Sequence, residues 1–124
     1  MPLVYNGLLV LVACGFAAMG VGSLLKPVGV LAQFGVPSLS VDGRNEVRAV
    51  YGGFGLAMAG ILVLTLFASE LRAGVCLAIA AALGGMVCGR VISAAADGTI
   101  GRTPFVYMLI EAVGTGLLLL VGFA

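Results

Sequence analysis

The chain contains no histidine and no tryptophan, and only 9% of its 124 residues are charged. Without histidine it lacks the side chain that most often acts as a general base near neutral pH and most often holds zinc or haem iron. Its three cysteines, Cys14, Cys76 and Cys88, stand alone, with no C-x-x-C pair among them. On one straight helix, Cys76 and Cys88 would be about 18 Å apart at 1.5 Å of rise per residue, too far for a disulfide. All three read as small, soft filler between helices. No metal site, cofactor or catalytic residue is expected on these grounds. The net charge of +1, with no basic stripe, leaves no footprint for nucleic acid.

What the chain has instead is apolar surface. It is 62% hydrophobic, with a mean hydropathy of +1.26, whereas soluble domains are roughly 45–50% apolar and about 25% charged. A chain this short cannot hide such an excess in a soluble core. The expectation is one all-α domain over residues 1–124, an integral membrane four-helix bundle. A spanning helix takes about 20 apolar residues, and four runs meet that length, at about 5–25, 45–68, 73–96 and 104–123. Their unbroken apolar character excludes barrel strands, which alternate in and out. No basic segment precedes the first run, so it reads as a span rather than a cleaved leader.

The connections are unequal. "SELR" (69–72) is a tight hairpin, and "DGTIGRT" (97–103) is a short polar turn. Thr103 and Pro104 suit a helix start. The connection after the first span is long but not polar. Pro27 marks a helix start and Gly35 a helix stop, so a short interfacial helix is expected at about 28–34. Asp42 is placed to cap the second span.

Helices in lipid associate through close packing of small residues. Three stripes of such residues are visible: Gly15, Ala18 and Gly22; Gly52, Gly55 and Ala59; and Ala81, Gly85, Gly89 and Ser93. They are expected to face the bundle interior, though the pattern leaves open whether some serve a homodimer.

With four spans, connections 26–43 and 97–103 share one side of the membrane, called side B here, and 69–72 lies on side A. Arg48, Arg90 and Glu111 then fall on three helices at one depth below side B, with Glu46 just above. A charge at mid-membrane costs about 2.5–3.5 kcal/mol on translocon scales, and a glutamate is too short to snorkel far. Arg48, Arg90 and Glu111 are therefore expected to form one mutually satisfied layer. Arg48, Tyr51, Gly52 and Gly55 share one helical face. Ser93 lies one turn beyond Arg90, and Tyr107 one turn before Glu111. The expected ligand-binding set is Arg48, Arg90, Glu111, Glu46, Tyr51, Asn45, Ser93 and Tyr107. The alternative is an ion-pair network that only fixes helix register. Lys26, Arg44 and Arg102 on side B against Arg72 on side A favour a cytoplasmic side B.

The order Pro27, Gly35, "NEVRAVYGG" (45–53), "GRVIS" (89–93), "DG" (97–98) and Glu111 resembles the bacterial four-helix membrane family known as domain of unknown function 4345. The resemblance covers roughly residues 15–119. It implies four helices with a shared polar layer, in the bacterial inner membrane, and implies no reaction. That family looks similar in architecture to DoxX-like membrane proteins, some of which are tied to quinone or thiol redox chemistry; the missing cysteine pair weighs against that role here. The first functional expectation is a binding or accessory membrane protein whose Arg/Glu layer holds the head group of a lipid, quinone or small anionic metabolite. The second is a small dimeric transporter or channel using Glu111. An enzyme ranks behind both.

Overall fold

A computed structural model describes residues 2–124, and all regular structure among them is helical. Helix α1 spans Pro2–Leu25 and the short α2 spans Pro27–Ala32. Helix α3 runs Val41–Leu64 and contains a π-helical stretch at Arg48–Gly53. A 3₁₀ turn at Ser69–Leu71 leads into α4, Arg72–Asp97. Helix α5 closes the chain at Arg102–Gly122. Four of these helices, α1, α3, α4 and α5, are long and apolar enough to cross a membrane. The protein is a multi-pass, all-α membrane bundle with one short helix after its first span.

The helix ends follow local chemistry, with three departures from the sequence expectation. Helix α3 starts at Val41 rather than near 45, and its cap is Ser40, not Asp42: the Gly43 N–H donates to Ser40 Oγ at 3.0 Å. Asp42 sits in the first turn, where a carboxylate favours the positive end of the helix dipole. Helix α5 starts at Arg102 with Gly101 at the cap position, so Pro104 is inside the first turn, where its missing N–H costs no helical bond. The short helix begins at Pro27, one residue before the expected position, and the chain turns over 33–35. There Gly35 adopts φ +85°, a left-handed conformation open to glycine at little steric cost. Gly98 plays the same part beyond α4, at φ +72°.

The spans pack as two antiparallel pairs. In the first, α1 lies against α3 with backbones nearly touching. A Cβ on Gly55 would stand 2.9 Å from the Phe16 carbonyl oxygen, and one on Gly20 would stand 2.8 Å from the Gly52 carbonyl oxygen. Gly52, Gly55 and Ala59 are buried, as their stripe predicts. In the second pair, α4 buries Cys76, Ile79, Ala80 and Leu83 along much of α5, following the i, i+3, i+4, i+7 spacing of one helix face.

The stripe Ala81, Gly85, Gly89 and Ser93 does not face the interior. All four residues are exposed, and a Cβ on Gly85 or Gly89 would meet nothing within 4 Å. A four-residue repeat drifts about 40° per step around a helix of 3.6 residues per turn, and the drift carries this stripe off the face that meets α5. Gly15 and Ala18 are also exposed on α1, where Gly20 is the buried glycine. Of the three cysteines, Cys76 alone is buried filler; Cys14 and Cys88 are exposed.

The two pairs join mainly at side A. The apolar core comprises Leu9 and Ala13 of α1, Ala59 and Leu62 of α3, Cys76, Ile79, Ala80 and Leu83 of α4, and Leu118 and Val121 of α5. Every one of these lies in the half of its helix nearest the 65–72 connection. Toward side B that shared core stops, and polar side chains take its place.

Candidate functional site in the side B half

Glu111 is the most buried charged group, at 6% exposure, on the face of α5 turned to α4. Arg90 projects from α4 to meet it. Its Nε donates to Oε1 at 2.6 Å and its Nη2 to Oε2 at 2.8 Å. This is a bidentate fork, the strongest geometry open to an arginine and a carboxylate. It is the single ion pair among the described residues. The fork lies on one helical hairpin, so the charges that threaten insertion in lipid cancel within one supersecondary unit.

Around the pair, Tyr107 sits one turn before Glu111. Its ring lies under the Arg90 guanidinium, with the guanidinium carbon 5.9 Å from the ring centroid, within cation–π range. The Tyr107 hydroxyl donates to Gln33 Oε1 at 3.1 Å, and its ring meets Phe34 with centroids 5.3 Å apart. The turn after α2 is thus fastened onto α5, and a chain of contacts runs Phe34, Tyr107, Arg90, Glu111. Gln33 and Phe34 carry no sequence signal for this role, because the contact spans 74 residues.

Arg48 stands elsewhere. Its Nε donates to the Leu24 carbonyl at 3.1 Å, so it closes the C-terminal end of α1 and does not share Glu111. Two facts account for this. Both carboxylate oxygens of Glu111 are already taken, and the last carbonyls of α1 lack helical partners and attract a cation. Tyr51, in the π-helical stretch, is half-buried and lies within electrostatic range of Arg90, as Tyr107 does. Asn45 and Glu46 are exposed. The structure brings together Arg90, Glu111 and Tyr107 of the expected set and leaves Arg48, Asn45 and Glu46 apart from them.

Ser93 rejoins the pair by another route. An open groove of about 520 Å³ runs along the side B end of α4 and α5, lined in part by Met86, Gly89, Arg90, Ser93, Asp97 and Pro104. Gly89 forms a low floor there, since no atom lies within 4 Å of where its Cβ would be. Arg90 is common to the ion pair and the groove. Its Nε–H and one Nη2–H are spent on Glu111, which leaves both N–H groups of Nη1 and the second one of Nη2 as donors.

Comparison with known proteins adds a family and no chemistry. The family described as Domain of unknown function (DUF4345) matches residues 4–121. No curated protein matches, and no solved structure matches.

Proposed function

Because the chain belongs to this family, whose description names no reaction, we propose from its geometry that it is a small binding or accessory membrane protein that holds the polar head of a membrane-embedded amphiphile in the groove beside Arg90. The observation that carries this reading is the groove itself: it contains an arginine whose orientation is set by Glu111 and whose Nη1 edge is unspent. Polar groups in a site are effective when their positions are fixed before the ligand arrives. Lipids, quinones and small anionic metabolites all present oxygen acceptors for such an edge. The Arg90–Glu111 pair is neutral as a unit and Asp97 lines the same groove, so a carbonyl- or hydroxyl-bearing head fits better than a highly charged anion.

This reading sets the protein in a bacterial inner membrane with lipid as its constant partner. It includes kinship with DoxX-like proteins through architecture, and it allows a homodimer through Ala81 and Gly85, the part of the outward stripe that lies clear of the groove. A carrier using Glu111 is less well supported, because both carboxylate oxygens are engaged and the group is nearly inaccessible.

The test is native mass spectrometry of protein released from mild detergent. Wild type should carry a discrete amphiphile. Gly89→Leu narrows the groove while keeping both Arg90 and Glu111, and should lose it. A wild-type protein that carries no adduct, or a Gly89→Leu protein that carries the same one, would refute the proposal.

A further inference from the structure

A second arginine lies at the opposite end of the bundle, and its chemistry differs from that of Arg90. Arg72 opens α4 on side A and is partly buried where α1, α3 and α4 meet. Its Nη2 donates to Asn6 Oδ1 at 2.8 Å and to the Thr65 carbonyl at 3.3 Å. Both acceptors are neutral. Its Nε is buried and has no partner among the described residues. The ion pair of the molecule, among the described residues, is Arg90–Glu111, so no carboxylate compensates Arg72; Glu70, two residues away, is exposed. A guanidinium stays charged at any physiological pH, and a partly buried charge without a counter-charge is costly. An anion bound beside Arg72 would supply one.

There is room for it. A cavity of about 360 Å³ opens beside Arg72, lined also by Tyr5, Ser69, Ala73, Val121, Gly122 and Ala124. Ser69 and Tyr5 bring hydroxyl donors, and Val121 and Gly122 bring apolar wall. Phe67, at 85% exposure, and Phe123, at 68%, stand free on the same end of the bundle, where aromatic rings sit at the level of lipid head groups. Asn6 and the Thr65 carbonyl hold the guanidinium through Nη2 and leave Nη1 unengaged, so the arginine is positioned without being neutralised.

We infer that Arg72, Ser69 and Tyr5 form a phosphate-binding site on side A, separate from the side B groove and opposite to it in the membrane. A phosphate monoanion or the phosphodiester of a lipid head group supplies the missing charge and the acceptor oxygens for an arginine and two hydroxyls. The proposal does not depend on what the side B groove binds.

The experiment uses delipidated full-length protein in a neutral detergent. One arm titrates inorganic phosphate against chloride at constant ionic strength and follows thermal stability. The other arm adds dioleoylphosphatidylglycerol or dioleoylglycerol, which shares the acyl chains but lacks phosphate, and counts retained lipid by native mass spectrometry. Phosphatidylglycerol should be retained and should raise Tm, with dioleoylglycerol inert. Protection by inorganic phosphate alone assigns the site to free phosphate, and protection by the phospholipid alone or by both assigns it to a head group. Arg72→Gln should weaken binding on the order of tenfold or more, the loss expected for a charged hydrogen-bond donor. Should Arg72→Gln fail to fold, Ser69→Ala and Tyr5→Phe decide, since both leave the Asn6 and Thr65 anchors in place; either should weaken phosphate binding several-fold. Equal retention of the two lipids with no effect of inorganic phosphate, or unchanged binding in every folded variant, would overturn the assignment.

Discussion

Arg90 and Glu111 face each other across the α4–α5 hairpin as a two-point fork, 2.6 Å and 2.8 Å between paired atoms, with the carboxylate almost wholly enclosed. Breaking such a pair by removing one partner leaves a charge stranded, at a cost of about 3–5 kcal/mol. Arg90→Ala should destabilise the protein by that order. Glu111→Gln should be milder, since an amide oxygen still accepts a hydrogen bond. The double change Arg90→Ala with Glu111→Ala should cost less than the sum of the single changes. A double-mutant cycle on unfolding in detergent measures this coupling, and additive single effects would remove it.

Arg48 provides the contrast. Its bond to the Leu24 carbonyl is made at an exposed position, so Arg48→Ala should cost about 1 kcal/mol or less. It should add independently to Glu111→Ala. Strong coupling between Arg48 and Glu111 in the same cycle would show that the two share a network after all.

Gly55 and Gly85 look alike in the sequence and should behave in opposite ways. An alanine at Gly55 drives a methyl group against the Phe16 carbonyl and the Gly20 backbone, and backbone atoms cannot swing aside. Overpacking of this kind costs about 1–3 kcal/mol. Gly85→Ala meets open space and should leave Tm unchanged or slightly raised, since alanine is the better helix former. Thermal denaturation of both variants in one detergent compares them directly, and equal losses would contradict the packing described for α1 and α3.

Tyr107→Phe removes the hydroxyl that holds Gln33 and keeps the ring against Phe34 and Arg90. Global stability should fall by about 1 kcal/mol or less. Backbone amides of 27–36 should exchange faster by a larger factor than those of the four spans, because the segment loses its polar link to α5. Hydrogen exchange in nanodiscs reads this out by segment, and unchanged exchange over 27–36 would mean the link does not hold the segment down.

The orientation of the bundle follows from a small charge imbalance. Lys26, Arg44 and Arg102 lie toward side B and Arg72 toward side A, so side B should be cytoplasmic. An alkaline phosphatase fused after Ala124 should then be active outside the cytoplasm. Activity of a cytoplasmic reporter alone at that position would reverse the assignment.

The sequence by itself determined the class of the protein and the number of its spans, because hydropathy acts over about 20 residues and needs no tertiary partner. It also determined that Glu111 must have a partner, since an isolated carboxylate is intolerable in hydrocarbon, and Arg90 was among its few candidates. Which arginine took the role was decided only in three dimensions. Arg90 and Glu111 sit on neighbouring helices of one hairpin, whereas Arg48 meets the Leu24 carbonyl at the C-terminal end of α1. Tertiary structure likewise decided which glycine stripe is interior. Gly52, Gly55 and Ala59 meet α1, while Gly85 and Gly89 turn outward, and both stripes satisfy the same spacing rule. The roles of Arg72 and Gln33 were not legible at all. Each depends on contacts across more than sixty residues of chain, Arg72 with Asn6 and Gln33 with Tyr107, and local sequence pattern carries no information about which helix ends the fold will bring together.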